Sequence, residues 1–182
     1  MQFNCALALL VATGALAACS HGAGTMAGGL HRPDAVATAR LDPTLGNGAA
    51  GTLTFHQHGD RVMVMGRVTG LRPGAEHDFH VHEKGDCSSG DGNSAGGHFN
   101  PASQPHGPQH GPHHAGDMPS LKSDAEGAAK AMFWLSGVTL AAGTANSLIG
   151  RGVIVHAQPD DYATQPTGNS GARVACGVVV AG

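Results

Sequence analysis

Hydrophobic and polar residues alternate along short segments of this chain, and the alternation predicts β-strands. In residues 51–58, Leu53 and Phe55 fall on one face, and in residues 61–69 three valines share one face. Side chains of a strand point alternately to its two sides, so each segment is typical of a strand buried on one face. The turn at Gly59 lies between them, and together they predict a β-hairpin.

The pattern of the remaining chain predicts an all-β fold. Further alternating or β-branched segments predict strands at residues 76–83, 130–135, 147–156 and 173–180. Residues 84–127 and 157–172 show no sustained period and are rich in Gly and Pro. Segments this long inside a compact domain are usually functional loops. We therefore expect a Greek-key β-barrel or sandwich of about eight antiparallel strands with two long functional loops.

The first residues of the chain predict a signal for export. Residues 6–17 are almost wholly apolar, too short to cross a bilayer but suited to the core of a signal peptide. The sequence Leu-Ala-Ala-Cys that ends at Cys19 resembles a lipobox, in which the cysteine becomes the lipid-bearing first residue. We expect a signal peptide at 1–18 and lipidation of Cys19. A plain secretory signal is the alternative, because residues 1–4 contain no Lys or Arg.

After the signal, the composition predicts a linker and then one domain. Residues 19–33 are rich in Gly, Ala and His and predict a flexible tether, followed by a folded domain at 34–182. The expected location is the periplasm or a membrane surface, with the N-terminal lipid as the sole membrane contact. The formal net charge of −3 does not indicate a nucleic-acid partner.

The cysteines are consistent with export. Cys5 lies in the predicted signal and Cys19 at its cleavage site, so Cys87 and Cys176 are the pair that remains in the domain. In an oxidising compartment such a pair most simply forms a disulfide, and two separate buried thiols are the alternative.

Histidines concentrate in residues 79–117, which hold seven of the thirteen in the chain. In a strand, residues i and i+2 face the same side, so His80 and His82 can reach one metal ion. His98 is a third candidate ligand, and His156, at the end of a Val-rich strand, is a fourth. Four imidazoles are a set that suits copper.

The His-rich tract after His98 predicts a second metal site. His106, His114 and Asp117 add two imidazoles and a carboxylate, and with His98 shared they form a tetrahedral set that suits zinc. An imidazole has two ring nitrogens, so one deprotonated ring can bridge two metals. The tract also contains His110 and His113, and the site needs only two of its four histidines.

Seven motifs occur in an order that is specific to one family. They are Phe-His-Val-His-Glu at 79–83, Gly-Asp-Cys at 85–87, Ser-Ala-Gly-Gly-His-Phe-Asn-Pro at 94–101, His-Ala-Gly-Asp at 114–117, Ile-Gly-Arg at 149–151, Val-His at 155–156 and Gly-Ala-Arg-Val-Ala-Cys-Gly at 171–177. With these motifs the chain resembles the bacterial copper/zinc superoxide dismutases, from about residue 51 to the C-terminus.

The resemblance implies a role for each matching residue. It implies copper ligands at His80, His82, His98 and His156. It implies zinc ligands at His98, His106, His114 and Asp117, in preference to His110 and His113. His98 would bridge the metals and carry a proton in catalysis. Asp160, rather than its neighbour Asp161, would link a copper-ligand histidine to a zinc-ligand histidine. Arg173 would attract superoxide at the mouth of the copper channel, and Cys87 and Cys176 would form the family disulfide.

The resemblance leaves some questions open. An exported copper- or zinc-scavenging lipoprotein on the same fold is the alternative function, and loss of Arg173, Asp160 or a copper ligand would have favoured it. A structural β-sandwich with incidental histidines is a second alternative. The loop 161–171 carries no Lys or Glu, so additional steering of superoxide is assigned to Lys84 or Lys122. A homodimer is compatible with the sequence.

Overall fold

The computed structural model describes residues 35–182. The predicted signal peptide at 1–18, the lipidated Cys19 and the tether at 19–33 lie outside the described residues. Within the described part of the chain, no helix has the length and apolar character needed to cross a membrane.

The described residues form strands and loops with a single turn of 3₁₀ helix at Asn93–Ala95. The strands are β1 Val36–Pro43, β2 Ala50–His58, β3 Arg61–Thr69, β4 Glu76–His77, β5 Phe79–His82, β6 Leu121–Lys122, β7 Ala129–Ser136, β8 Gly152–His156 and β9 Arg173–Ala181. Seven of them form one sheet in the order β5-β8-β9-β1-β2-β3-β7, and β4 pairs with β6. All named strand pairs are antiparallel, and the large sheet curls into a half-barrel, which confirms the all-β prediction.

The predicted hairpin is present with the expected faces. In the β2–β3 pair His58 lies opposite Arg61 across the turn at Gly59, and Phe55 lies opposite Val64. Phe55 and Val64 are both fully buried, and each large apolar side chain buried in this way contributes about 1.5–3 kcal/mol. Alternation thus places one face of the hairpin in the core of the barrel.

Several strands differ from the sequence prediction, among them the two-residue strand β6, which lies within the predicted loop 84–127. Strand β1 was not predicted, because its inward positions Ala37 and Ala39 are small and give a weak hydrophobic signal. The predicted strand 76–83 is interrupted at Asp78, whose backbone pairs with the loop at Gln158 and with His156. The predicted strand 147–156 begins only at Gly152, since Gly150 has a positive φ that ends regular strand geometry.

A disulfide joins the first long loop to the last strand. Cys87 and Cys176 are bonded with their Cα atoms 5.8 Å apart, which confirms the predicted pair. The bond closes a loop of 89 residues, for which chain-entropy models give a stabilisation of about 4–5 kcal/mol. It therefore constrains the part of the chain that contains six of the thirteen histidines.

Candidate metal centre

Strand β5, at an edge of the large sheet, carries the first two histidines of the predicted metal site. His80 and His82 are both completely buried, and Val81 between them packs into the hydrophobic core. The loop that follows returns along the outer edge of β5, where Phe99 donates a backbone hydrogen bond to Val81 and Val81 donates one to Gly116. A Cβ atom at Gly116 would lie 2.3 Å from the Val81 carbonyl oxygen, so only glycine permits this approach.

This pairing brings distant histidines onto β5. Isolated β-bridges join His82 to His98 and His80 to Asp117. Antiparallel pairing of β5 with β8 adds His156, which ends β8. Four imidazoles result, with one ligand atom of each within 4.8 Å of the others, and all four residues are buried. We call this set the four-imidazole group: His80, His82, His98 and His156.

A second set of side chains converges on Asp117. Its two carboxylate oxygens lie 3.0 Å from His98 Nδ1, 3.1 Å from His106 Nδ1 and 3.2 Å from His114 Nδ1. The Nδ1 atoms of His98 and His114 are also only 3.3 Å apart. We call His98, His106, His114 and Asp117 the Asp117 group.

The structure discriminates among the histidines of the tract. His106 and His114 are buried at Asp117, whereas His110 is exposed and His113 hydrogen-bonds to the nearby Gly111 carbonyl oxygen at 2.7 Å. His106 and His114, which the resemblance to the family favours, are therefore the histidines of the tract that the fold brings to Asp117.

Buried nitrogens without hydrogen bonds show that both groups suit metal ions. In the four-imidazole group these atoms are His80 Nδ1, His82 Nε2, His98 Nε2 and His156 Nε2. In the Asp117 group, His106 Nδ1 faces only the Asp117 carboxylate, at 3.1 Å. An unsatisfied buried polar atom costs about 1–3 kcal/mol, so a metal ion that accepts these lone pairs would offset a substantial penalty. The donor sets fit copper and zinc respectively.

The opposite nitrogens of several rings are anchored, which fixes their orientation. Nδ1–H of His82 donates to the Gly96 carbonyl oxygen at 2.9 Å, and Nδ1–H of His156 donates to that of Gly171 at 3.3 Å. Nε2 of His106 lies 2.9 Å from Asp160 Oδ1. Ligating histidines in proteins commonly hold their second ring nitrogen in this way, which leaves the other nitrogen free for metal.

Burial lowers the pKa of three rings of the four-imidazole group. Desolvation lowers the pKa of His98 to about 4, despite a hydrogen bond to Asp117, and lowers that of His156 to about 3. It also lowers the pKa of His82 far below the ordinary range. These imidazoles are therefore neutral at neutral pH, as metal ligation requires.

The pKa values of His106 and His80 are shifted in the opposite direction. Burial alone would lower the pKa of His106, but hydrogen bonds to Asp117 and Asp160 outweigh it and raise the pKa to about 9. At His80, burial would likewise lower the pKa, but hydrogen bonds to Asp160 and Asp78 outweigh it and raise the pKa. Burial would raise the pKa of Asp117, yet its histidine partners hold that pKa well below the usual range.

Asp160 connects the two groups. Its Oδ1 atom lies 2.9 Å from His106 Nε2, and its Oδ2 atom lies 3.7 Å from His80 Nε2. The backbone N–H of Tyr162 donates to Oδ1 at 2.7 Å and holds the carboxylate in place. The neighbouring Asp161 is exposed and caps the turn at Thr164. The preference for Asp160 over Asp161 agrees with this geometry.

Arg173 lies beside an open cleft of about 490 Å³ that reaches His98 and His156. Its guanidinium donates to the carbonyl oxygens of Gly92 and Gly96, at 2.7 Å each, and is the only Lys or Arg side chain among the described residues that line the cleft. Lys84 and Lys122, which the sequence suggested as further steering charges, do not line it. Lys122 instead pairs with Glu76 at 2.8 Å.

Asp78 is the residue of this site that sequence reasoning missed. It is completely buried, and its Oδ1 atom lies 3.0 Å from His80 Nε2. The sequence gives one signal for it, an acidic residue inside a segment that otherwise predicts a buried strand. Without coordinates, that signal does not separate a buried acid from a bend in the strand.

Known proteins of similar sequence identify the family. Residues 49–179 match the family model described as copper/zinc superoxide dismutase. The chain belongs to the copper/zinc superoxide dismutase family. Two relatives from Aquifex aeolicus (strain VF5), named superoxide dismutase (Cu-Zn) 2 and 1, are each 44% identical over 124 residues. The match covers 65% of this chain and 71% and 72% of theirs.

Solved structures agree with this dismutase family. The crystal structure of a SOD-like protein from Bacillus subtilis superposes with a TM-score of 0.70 at 36% identity, covering 78% of this chain and 96% of that one. Copper and zinc are the metals of the family. Two sets of buried donors lie close enough together to hold an ion: the four-imidazole group, and a set made of His80, His98, His106 and Asp117, to which His114 adds a ring 3.2 Å from Asp117.

We expect the stability of the metal-free dismutase domain to fall as the pH is lowered from about 6.5 to about 4. In this window the unfolded chain protonates its histidines, whereas burial keeps His98 and His156 neutral in the fold, with pKa values of about 4 and 3. The raised pKa of His106 affects the stability of the domain only at higher pH. The stabilisation that protonated His106 contributes is lost as the pH rises through about 9. Urea unfolding of chelator-treated protein between pH 4 and 7.5 measures the slope.

The matched control for this measurement is His110→Ala, which removes an exposed histidine of the same tract and should keep the same slope. Protein loaded with copper and zinc should retain its stability to lower pH, because ligated nitrogens bind protons only after the metal leaves. Equal stability of the metal-free protein at pH 6.5 and pH 4.5 would contradict the neutral state of these imidazoles.

Proposed function

We propose that this chain converts superoxide to oxygen and hydrogen peroxide at a copper ion in the four-imidazole group, next to a zinc ion in the Asp117 group. The copper ligands are His80, His82, His98 and His156. The zinc ligands are His98, His106, His114 and Asp117. The observation that carries the proposal is the position of His98. Its Nδ1 atom lies at Asp117 and His114, and its Nε2 atom is buried without a partner beside the other three imidazoles.

When bound, copper supplies one-electron redox chemistry and zinc supplies a fixed positive charge. Two superoxide ions and two protons then give one molecule of oxygen and one of hydrogen peroxide. His98 is suited to carry a proton at Nε2 to the product, since that nitrogen is buried without a hydrogen-bond partner while Nδ1 lies at Asp117. His82 and His156 keep their lone pairs directed inward, because their Nδ1–H groups are bound to backbone carbonyl oxygens.

Arg173 guides the anionic substrate. Two backbone carbonyl oxygens hold its guanidinium at the edge of the cleft that reaches His98 and His156. A cation fixed in a cleft raises the local concentration of an anion and orients it, and this effect weakens as salt is added. With Arg173, Asp160 and all ligands present, the sequence lacks the losses that would favour a metal-scavenging protein instead.

We expect Arg173→Glu to lower kcat/KM for superoxide by about tenfold or more at low salt, because a repulsive charge replaces the attractive one. Copper should remain bound, since the Arg173 guanidinium hydrogen-bonds to backbone carbonyl oxygens and provides no donor to the metal groups. Pulse radiolysis at several ionic strengths, with metal content by mass spectrometry, measures both quantities.

The matched control is Arg67→Glu, which makes the same charge change at an exposed position of β3 outside the cleft. Its rate should stay near that of the wild type. Unchanged turnover of Arg173→Glu at low salt would refute the guiding role. Copper- and zinc-loaded wild type without any superoxide turnover would favour the alternative function, an exported metal-binding protein.

We expect His98→Ala to weaken the binding of both metals, because one ring provides a donor to each group. Loss of one ligand should also alter the copper(II) electron paramagnetic resonance spectrum. Chelator competition for copper and for zinc, together with that spectrum, measures the effect. His110→Ala is the control in the same tract, and it should leave both metals unaffected. A variant that loses affinity for only one metal would show that His98 is not shared.

The chain is further proposed to be exported and held at a membrane by a lipid on Cys19. The apolar residues 6–17 and the Leu-Ala-Ala-Cys sequence support this location. We expect the mature protein to begin at Cys19 and to fractionate with membranes, and Cys19→Ser to release it. Mass spectrometry of the N-terminus tests the modification, and an unmodified Cys19 in the membrane-free fraction would contradict it.

A homodimer stays a prediction, which sedimentation of the mature domain tests.

A further inference from the structure

Asp78 places a second carboxylate against one histidine of the four-imidazole group. The residue lies between β4 and β5, and its side chain is 0% exposed. Its Oδ1 atom is 3.0 Å from Nε2 of His80. Moving a carboxylate out of water costs several kcal/mol unless nearby charges and hydrogen bonds replace the water. Its position therefore depends on the partners that surround it.

Those partners hold the carboxylate at both oxygens. The backbone N–H of Phe79 donates to Oδ1 at 2.7 Å, and the hydroxyl of Ser170 donates to Oδ2. The backbone of Asp78 is fixed as well: its N–H donates to Gln158 and its carbonyl oxygen accepts from His156, at 2.8 Å each. The carboxylate is thus part of a rigid junction among β5, β8 and the loop 157–172, and it stays directed at His80.

Two carboxylates, those of Asp78 and Asp160, face Nε2 of His80, but they contact different numbers of imidazole rings. Asp160 Oδ2 lies 3.7 Å from His80 Nε2, while the other oxygen of Asp160 lies 2.9 Å from His106. Within residues 35–182, His80 is the only imidazole within 4 Å of the Asp78 carboxylate. Asp160 therefore touches both metal groups, whereas Asp78 touches the four-imidazole group alone.

We propose that Asp78 is a positioning residue for His80, acting together with Asp160 on Nε2 so that Nδ1 is presented to copper. The inference rests on the proposed function, because it takes His80 as a copper ligand. A carboxylate at the outer nitrogen fixes the tautomer and orientation of a ligating histidine and increases its basicity. With two carboxylates at Nε2, His80 is held more firmly than one acid would hold it. Asp78 thereby strengthens copper binding without a corresponding effect on zinc.

The test is Asp78→Asn, which keeps the shape of the side chain and removes its charge. We expect its affinity for copper(II) to fall by about tenfold or more, as is typical when such a partner of a ligating histidine is lost. The copper hyperfine coupling in the electron paramagnetic resonance spectrum should change, because the basicity of one ligand changes. Affinity for zinc should remain that of the wild type. Chelator competition with each metal separately measures both affinities.

Three further variants separate positioning from folding. Glu76→Gln is the matched control, since Glu76 is an exposed acid two positions before Asp78 that pairs with Lys122. This variant should keep the wild-type affinity for both metals. Asp160→Asn should weaken both copper and zinc, because that carboxylate touches both groups. Ser170→Ala keeps the charge of Asp78 and removes one of its hydrogen bonds. It should alter the copper spectrum in the same direction as Asp78→Asn, by a smaller amount.

The outcomes distinguish this inference from the proposed function. Wild-type copper affinity and spectrum in both Asp78→Asn and Ser170→Ala would overturn the positioning role alone. An equal loss of copper and zinc in Asp78→Asn would also overturn it, because it would show a general disturbance of the fold. Wild-type protein whose copper spectrum shows no nitrogen ligands would overturn the proposed function itself.

Discussion

The site depends on how the free edge of β5 is covered. β8 pairs with one edge of this strand, and the returning loop pairs with the other through the backbone of Val81. This second set of hydrogen bonds places His98 and Asp117 next to His80 and His82 and shields all of them from water. Without it, β5 would be an exposed edge with polar rings, and neither group of donors would exist.

The pattern of the sequence predicted the parts of the site that depend on local spacing. His80 and His82 share a face because they lie two positions apart in a strand, and the ordered motifs predicted the other candidate ligands. The role of Asp78 was not predictable in this way, because it depends on Ser170 and Gln158, which lie more than 75 residues further along the chain. The sequence likewise did not predict that Lys84 and Lys122 lie outside the cleft lining, because a charge gives no information about which surface it faces.

Three buried carboxylates hold histidine rings of the two groups in place. Asp117 contacts three rings, Asp160 contacts two, and Asp78 contacts one. Buried negative charge of this kind is costly unless positive charge is close. Two divalent cations would provide it, so the fold and the metals are expected to stabilise each other.

The disulfide has a consequence beyond the stability of the barrel. Cys87 and Cys176 tie the segment that carries Gly92 and Gly96 to the strand that carries Arg173. The carbonyl oxygens of those two glycines are the acceptors that hold the guanidinium at the cleft. Breaking the bond would free this segment from β9 and loosen the orientation of Arg173. Because Arg173 lines the cleft that reaches His98 and His156, the lining of that cleft is linked to the redox state of the surroundings.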